Sequence, residues 1–310
     1  MRPLLRPGLA LAVGAVLLGG CLSGCSSGGS PDGERAPTAG SPTAHTSHSA
    51  RQAAPAAPAA PARPWNVHPA SVAALGDSIT RGFDACKPLL DCPEVSWATG
   101  TRTGVGSIAH RLAATAPATR SWNLAGTGAR VADLQGQAEE AAAHRPAMVT
   151  VLIGANDACR SSLGAMTPVA DFRSDFAATM AYLHKTLPTT QILVASIPDL
   201  QRLWSVGKSN VLGKQVWKLG LCPTMLDDPD SQSAAAAGRR TAVRDRVVAY
   251  NTALAQVCGQ YARCRYDGGA VFGYRFGSDE LSTWDWFHPN EKGQEQLADL
   301  LAAVAFRPQQ

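Results

Sequence analysis

The sequence predicts an α/β protein in which a parallel sheet of about five strands is covered by helices on both faces. Short apolar runs alternate with stretches of helical periodicity, which is the pattern of a parallel sheet. One run, residues 148–153, is almost continuously apolar, as in strands covered on both faces. Four of the runs end in Gly, Asp or Asn. Because parallel strands point the same way, these ends share the edge of the sheet where ligands bind.

The composition is that of a globular protein with enough apolar residues for a full core. The chain has 310 residues, of which 45% are hydrophobic, and a formal net charge of +4. This charge is mild and no long basic run is present, so nothing indicates a nucleic-acid partner. We expect a monomer that binds no nucleic acid.

Residues 1–25 have the features of an export signal. Arg2 and Arg6 form a charged start, residues 8–18 are apolar, and small residues follow, as in secretory signal peptides. The apolar run is shorter than the roughly 20 residues of a membrane-spanning helix. Cys25 follows Leu-Ser-Gly and resembles the lipidated cysteine of a bacterial lipobox, which Cys21 matches less well. We expect a lipoprotein anchored at Cys25, with plain secretion after cleavage as the alternative.

Residues 26–64 contain no aromatic residue and consist mostly of Ala, Pro, Ser, Gly and Thr. Such a segment cannot bury enough apolar surface to offset the entropy of ordering it. We expect a disordered linker, stiffened by its prolines, followed by one folded domain over residues 65–310.

The predicted elements alternate along this domain, beginning with a strand within residues 71–84. Apolar residues at helical spacing predict helices over residues 107–116, 130–144, 167–187, 240–257 and 289–306. Further strands are predicted over residues 121–125, 148–153, 191–197 and 263–266. Thr167 is predicted to cap the third helix, with Pro168 near its start. Residues 201–237 fit no regular element well.

Residues 71–84 place a serine where a nucleophile is expected. An apolar, β-prone run ends there in Gly-Asp-Ser, and a second glycine follows at Gly82. The side chain of Ser78 is therefore predicted at the carboxyl edge of the sheet. An ordinary turn after a strand uses the same residue types, so the tripeptide does not decide the question alone.

A serine nucleophile needs a general base, and His288 is the best placed of the seven histidines. The others lie in the linker, before the first strand or within helical patterns. Asp285 precedes His288 by three residues, in the loop before the last helix. It can reach one ring nitrogen and fix the tautomer, which leaves the other nitrogen to accept the serine proton. A polar loop at the start of a helix is the structural alternative.

Acyl transfer also needs hydrogen-bond donors aimed at the developing oxyanion. Three strand ends offer them: the Ser78 backbone N–H, the Gly126 backbone N–H and the Asn156 side-chain amide. Gly and Asn are also common turn residues, so the presence of Gly126 alone or of Asn156 alone would be explained by a turn.

Four blocks resemble, in order, those of the SGNH or GDSL-type serine hydrolases. They are Gly-Asp-Ser at 76–78, Asn-Leu-Ala-Gly at 123–126, Gly-Ala-Asn-Asp at 154–157 and Asp-Trp-Phe-His at 285–288. The resemblance covers roughly residues 70–305, and Ile79 stands where the family name implies leucine. It implies a three-layer α/β/α, flavodoxin-like fold and an esterase or lipase without metal or cofactor. It also implies the site roles: Ser78 as nucleophile, His288 as base, Asp285 as its orienting partner, and Ser78, Gly126 and Asn156 as the oxyanion hole.

Six cysteines lie in residues 65–310, and an even number behind an export signal predicts disulfides. Many connectivities are possible, and free buried thiols are the alternative. No Cys-x-x-Cys pair indicates a zinc site. Secreted actinobacterial relatives look similar in their cysteine layout, with neighbours paired. The pairs implied are Cys86–Cys92, Cys258–Cys264 and, for the two that remain, Cys159–Cys222.

The leading interpretation is a hydrolase of small-molecule or lipid esters, secreted or anchored to the outer face of the cytoplasmic membrane. Apolar residues within 203–225 indicate either a wall for an acyl chain or the completion of the core. A carbohydrate O-deacetylase would use the same catalytic residues. A surface binding module that retains the fold is the non-enzymatic alternative.

Overall fold

The computed structural model describes residues 64–308. The predicted export signal, the candidate lipidation site Cys25 and the linker up to residue 63 lie outside the described residues. No helix within residues 64–308 combines the length and the apolar character that crossing a membrane requires.

Five strands form one parallel sheet. They are β1 (Ser71–Gly76), β2 (Arg120–Asn123), β3 (Met148–Leu152), β4 (Gln191–Val194) and β5 (Cys264–Tyr266). Their order across the sheet is β2-β1-β3-β4-β5, and each neighbouring pair is parallel. The predicted fold class is confirmed. Chain order reverses between β1 and β3, so the carboxyl ends of these two strands flank the crevice in which open α/β sheets bind ligands.

Eleven helices accompany the sheet in the part of the chain described. They are α1 (Ser78–Arg81), α2 (Ile108–Thr115), α3 (Leu134–His144), α4 (Ala155–Ala158), α5 (Val169–Thr186), α6 (Leu200–Gly207), α7 (Val211–Trp217), α8 (Pro223–Leu226), α9 (Ala234–Cys258), α10 (Ala270–Gly273) and α11 (Glu291–Ala305). Helices α3, α5 and α9 pack side by side, and α2 packs on α11. With right-handed crossovers, the reversal of strand order puts these two groups on opposite faces. The result is three layers.

The core follows the strand pattern expected from the sequence. Every residue of β1, β3 and β4 is buried, whereas the edge strands β2 and β5 are partly exposed. A sheet covered on both faces buries its central strands completely. The start of the domain is tied to the last helix, because the Trp65 indole donates to Ala305 O at 2.8 Å.

Two expectations from the sequence, about Thr167 and about residues 201–237, were wrong. Thr167 does not cap α5: Pro168 is the N-cap residue, and the Thr167 hydroxyl donates to Asp157 Oδ1 at 2.8 Å. Residues 201–237 are not irregular, since they contain most of α6, all of α7 and α8, and the start of α9. The three short helices have at most eight residues each, too few turns for a periodic apolar pattern to stand out. Helix α9 begins early because Ser233 caps an alanine run.

Candidate active site

The end of β1 presents the candidate nucleophile at the start of a helix. Asp77 caps α1 by accepting a hydrogen bond from Ile79 N at 3.0 Å. Ser78 is the first residue of that helix. Backbone N–H groups in the first turn of a helix have no partner within it, so the Ser78 N–H is available to a ligand.

Ser78, His288 and Asp285 form one continuous hydrogen-bonded chain. Ser78 Oγ lies 2.9 Å from His288 Nε2, and His288 Nδ1 lies 2.5 Å from Asp285 Oδ2. Their exposed fractions are 6%, 6% and 2%, so water competes little for these bonds. A hydroxyl, an imidazole and a carboxylate in this order are the geometry of a serine nucleophile with its base and orienting acid.

The three-residue spacing of Asp285 and His288 has a local explanation. Asp285 Oδ1 accepts from the backbone N–H groups of Phe287 and His288, at 2.9 and 3.0 Å. This turn leaves Oδ2 free to bind the imidazole of the same loop. Trp217 fixes the loop from the side, because its indole N–H donates to Asp285 O at 2.7 Å.

The triad's electrostatics favour a carboxylate next to an imidazolium. Burial opposes charge on both groups, but the pKa of His288 is raised because Asp285 attracts its proton. The pKa of Asp285 is lowered, since the attraction of His288 and the hydrogen bonds outweigh burial. Both directions stabilise an ion pair between the Asp285 carboxylate and a protonated His288.

Asp77, which precedes Ser78, is a buried carboxyl group whose ionisation is unfavourable. It is fully buried, and its Oδ2 atom has no hydrogen-bond partner among the described residues. Burial raises its pKa to about 7, while the Ile79 N–H and His288 act in the opposite direction. Burial also raises the pKa of Asp157, in the short helix α4 that follows β3. The Oδ2 atom of Asp157 accepts from Val131 N at 2.9 Å, so this residue ties two strand-end loops together.

The three predicted oxyanion donors are placed differently. Asn156 lies in α4 and lines the cavity that contains Ser78 and His288. Its amide donates one hydrogen to Ala129 O at 2.9 Å, which leaves the second. The Gly126 N–H already donates to Gly76 O at 3.1 Å. The structure therefore brings Ser78 and Asn156 to the cavity, whereas Gly126 would have to release its present acceptor.

Two residues that position the site were missed in the sequence. Gln137 brackets the end of β1, because its amide oxygen accepts from Gly76 N at 2.8 Å and its amide nitrogen donates to Gly76 O at 2.9 Å. Phe83 packs edge-on against the His288 ring, with centroids 5.1 Å apart. Gln137 lies within a helical pattern, where nothing separates it from a surface glutamine. A hydrophobic residue after Gly82 is equally unremarkable in sequence.

The cavity at Ser78 has a volume of about 180 Å³. Ile79, Leu221 and Phe287 contribute apolar walls. Residues 203–225 help to complete the core, because Leu203 and Trp217 are buried in it. Leu221 of the same segment lines the cavity.

The structure contains the three disulfides that neighbour pairing implies: Cys86–Cys92, Cys159–Cys222 and Cys258–Cys264. The second closes a loop of 63 residues and joins the end of α4 to the start of α8. Cys86 and Cys92 lie near Glu94, but the bonded sulfurs offer no thiolate to a metal.

Residues 72–301 match the family model of the GDSL-like lipases and acylhydrolases. The chain belongs to this family. The esterases and lipases of the family hydrolyse carboxylic ester bonds, and this GDSL-like protein is a hydrolase of that class. The match extends over nearly all of the domain that carries the sheet and the triad.

The solved structures that resemble this GDSL-like hydrolase have low sequence identity to it. LAE5, an alpha/beta hydrolase from the metagenome of Lake Arreo in Spain, is 21% identical with a TM-score of 0.47, and the match covers 76% of this chain and 96% of that one. Axe2, an acetylxylan esterase from Geobacillus stearothermophilus, is 17% identical with a TM-score of 0.47 and coverages of 76% and 93%. An extracellular lipase from Streptomyces rimosus is 17% identical with a TM-score of 0.45 and coverages of 76% and 99%. No curated protein matches the chain.

Proposed function

We propose that this hydrolase cleaves carboxylic esters through an acyl-enzyme formed on Ser78. The observation that carries the proposal is the chain from Ser78 Oγ to His288 Nε2 and from His288 Nδ1 to Asp285 Oδ2, at 2.9 and 2.5 Å. The carboxylate holds the Nδ1–H tautomer, so Nε2 has its lone pair directed at the serine hydroxyl.

The reaction has two halves. In the first, Ser78 Oγ attacks the ester carbonyl while His288 accepts its proton, and His288 then gives that proton to the departing alcohol. In the second, water attacks the acyl-enzyme while His288 accepts its proton, and His288 then returns that proton to Ser78 Oγ as the acid is released. Asp285 stays ionised and stabilises the imidazolium in both halves.

Each half passes through an oxyanion. Ser78 N–H and the second amide hydrogen of Asn156 are the donors available to it. Gly126 is the third donor if its N–H turns from Gly76 O, 3.1 Å away, toward the substrate. Donors fixed before the reaction stabilise the transition state without having to reorganise.

The cavity indicates a short acyl group. Its volume of about 180 Å³ is below the roughly 300 Å³ at which pockets for drug-sized ligands begin. A longer acyl chain would leave the cavity past Leu221. The exposed side chain of Leu219 lies two residues earlier in the sequence. Esters of short acids are therefore the proposed preferred substrates.

The same small cavity favours a carbohydrate O-deacetylase as a second candidate, because an acetyl group fills little space. Assays on an acetylated polysaccharide and on a chain-length series of p-nitrophenyl esters separate the two. Activity on the polysaccharide, with a steep preference for acetate over butyrate and octanoate, would favour deacetylation. High rates on acetate and butyrate esters without activity on the polysaccharide would favour the short-chain esterase, and comparable rates on acetate and octanoate would contradict both.

We further propose that the enzyme acts outside the cytoplasm as a monomer, secreted or anchored by a lipid at Cys25. The three disulfides support this location, because such bonds persist in oxidising compartments. Metabolic labelling with a radioactive fatty acid, compared between the full chain and Cys25→Ala, tests the anchor.

Kinetics of four variants of the full chain test the mechanism. We expect Ser78→Ala and His288→Ala each to lower kcat for p-nitrophenyl acetate by about 10⁴-fold or more, and the double variant to lose no more than either, because the two residues act as a unit. Ser121→Ala, an exposed serine on β2, is the matched control and should retain full activity. Ser78→Ala with wild-type turnover would overturn the proposal.

A further inference from the structure

A second carboxyl group lies against the triad, and the mechanism above does not use it. Asp84 follows α1, and its side chain is within hydrogen-bonding reach of Asp285. It has no exposed surface. Its φ of 60° places it in the left-handed region, which is uncommon outside glycine although aspartate tolerates it. A hydrogen bond from Asp84 N to Leu90 O, at 3.0 Å, holds this conformation.

The two carboxyls have unequal sets of donors. Asp285 accepts from the backbone N–H groups of Phe287 and His288 and from His288 Nδ1. Asp84 accepts one bond, from Leu89 N to Oδ1 at 2.5 Å. Its Oδ2 atom is buried and has no donor among the described residues.

Two carboxylates in contact at a buried site cannot both ionise without a large cost, so such pairs retain a proton. The donors around Asp285 favour its anion. The proton therefore resides on Asp84, whose carboxyl becomes the donor of the bond to Asp285.

We propose that Asp84 is a positioning residue of this active site, which shares a proton with Asp285 and thereby fixes that carboxylate and tunes the basicity of His288. The proposal rests on the function proposed above, because Asp84 would act through the same triad.

The charged groups around Asp84 determine how it titrates. Asp285 and His288 face it directly. Glu291 and Lys292, at the start of α11, border with it a cavity of about 360 Å³, and Lys292 is paired with Asp279. Burial and the adjoining Asp285 raise the pKa of Asp84 to about 6, against the effect of the Leu89 N–H and His288.

The sign of the coupling follows from these charges. As pH rises through about 6, ionisation of Asp84 adds a negative charge beside His288, which then keeps its proton to a higher pH. Asp84, together with Asp285 and Asp77, raises the pKa of His288 in this way. Once His288 is neutral, the carboxyl pair holds its shared proton more tightly. Removing the charge of Asp84 should therefore move the acid limb of kcat/KM to lower pH.

Asp84→Asn separates the shared proton from a merely structural role. The amide can donate to Asp285 and accept from Leu89 N, but it cannot ionise. We expect kcat at the plateau to stay close to that of the wild type, while the acid limb of kcat/KM moves down by about one pH unit, the size of shift that a neighbouring charge produces. Asp84→Ala can neither donate a hydrogen bond to Asp285 nor accept one from Leu89 N. It should therefore lower kcat much more than it changes KM.

The matched control is Asp91→Asn, which removes a carboxylate of the same loop that pairs with Arg81 at 3.0 Å. It should leave the acid limb in place. An Asp84→Asn profile that superimposes on the wild type would overturn the proposal. So would equal losses of kcat in folded Asp84→Asn and Asp84→Ala.

A measurement without substrate keeps this proposal distinct from the ester hydrolysis itself. Asp77, with a pKa of about 7, contributes a protonated buried carboxyl of its own at pH 5, so the comparison is made in the Asp77→Asn background. We expect its infrared spectrum at pH 5 to show a protonated buried carboxyl band that weakens as pH rises through about 6 and that the further substitution Asp84→Asn removes. Absence of that band in Asp77→Asn would contradict the shared proton. If the band is present but Ser78 proves unreactive toward a phosphonate, the proposed function fails and the carboxyl pair stands.

Discussion

The catalytic rim (the loops that carry Ser78, Asn156, Asp285 and His288) and the cover segment (residues 200–226) border the same cavity but are built differently. In the rim, the side chains of Ser78, His288 and Asp285 are at most 6% exposed and are joined to one another by hydrogen bonds. In the cover segment, Leu212 and Leu219 are 73% and 85% exposed. Directional bonds therefore fix the positions of the rim side chains, whereas the cover segment exposes apolar surface, which constrains geometry less and which we propose as the contact surface for a longer acyl chain.

The two regions are joined at defined points. The Cys159–Cys222 disulfide links the helix of Asn156 to the start of α8. Gly213 lets α7 approach the triad loop, because a Cβ there would lie 2.8 Å from a side-chain atom of Trp286. We expect substitutions in the rim to change kcat on every ester, and substitutions on the exposed face of the cover segment to change only the preference among esters.

The largest effect after loss of the triad should come from Asn156→Ala. Removing one oxyanion donor typically lowers kcat by about 10²–10³-fold, and we expect this loss with KM little changed on both acetate and octanoate esters. Asn210→Ala is the matched control in the cover segment, where Asn210 caps α7 by accepting from Gly213 N at 2.8 Å. It should lower stability by about 1 kcal/mol and spare kcat. Equal losses of kcat in Asn156→Ala and Asn210→Ala would contradict the distinction between the catalytic rim and the cover segment.

Asp77→Asn should increase stability at alkaline pH. The pKa of Asp77 rises from 3.8 to about 7 on folding, so the folded state binds more protons than the unfolded state between these values. Stability is therefore lost as pH rises through this window, and the loss is complete above pH 7. The amide can still accept from Ile79 N. Urea unfolding at pH 8 should show a gain of up to roughly 4 kcal/mol, which shrinks to nothing near pH 3. A gain that does not depend on pH would contradict the argument.

The smallest effect should come from the exposed leucines. Leu212→Ser combined with Leu219→Ser should leave acetate hydrolysis unchanged and reduce kcat/KM for octanoate several-fold, since apolar burial contributes about 25 cal/mol per Å² of contact. Val248→Ser, on α9 at 40% exposure and bordering a different cavity, is the matched control. A loss on acetate as large as that on octanoate would place the cover segment within the catalytic machinery.

The same contrast explains what could be predicted from the sequence. Strands β1 and β3 and the residues at their ends were predictable because a buried parallel strand is uniformly apolar and then stops at a turn. Asp285 and His288 were predictable because they interact locally through a turn. The helices of the cover segment were missed, although its apolar character was not, since short helices show no clear period and are specified by contacts such as that of Gly213 with Trp286.

Residues that contact the site from distant positions in the sequence could not be predicted for a related reason. Gln137 and Asp84 are polar residues without a motif, and only the fold brings them to Gly76 and Asp285. The commitment of the Gly126 N–H to Gly76 O likewise depends on strand ends that lie 50 residues apart in the chain.

Covalent labelling of the full chain with a serine-directed phosphonate, followed by peptide mapping, tests the central claim most directly. We predict one adduct per chain, located on Ser78, formed faster as pH rises and His288 loses its proton, and absent from Ser78→Ala and from unfolded protein. An adduct on another serine, or undiminished labelling of Ser78→Ala, would contradict the account.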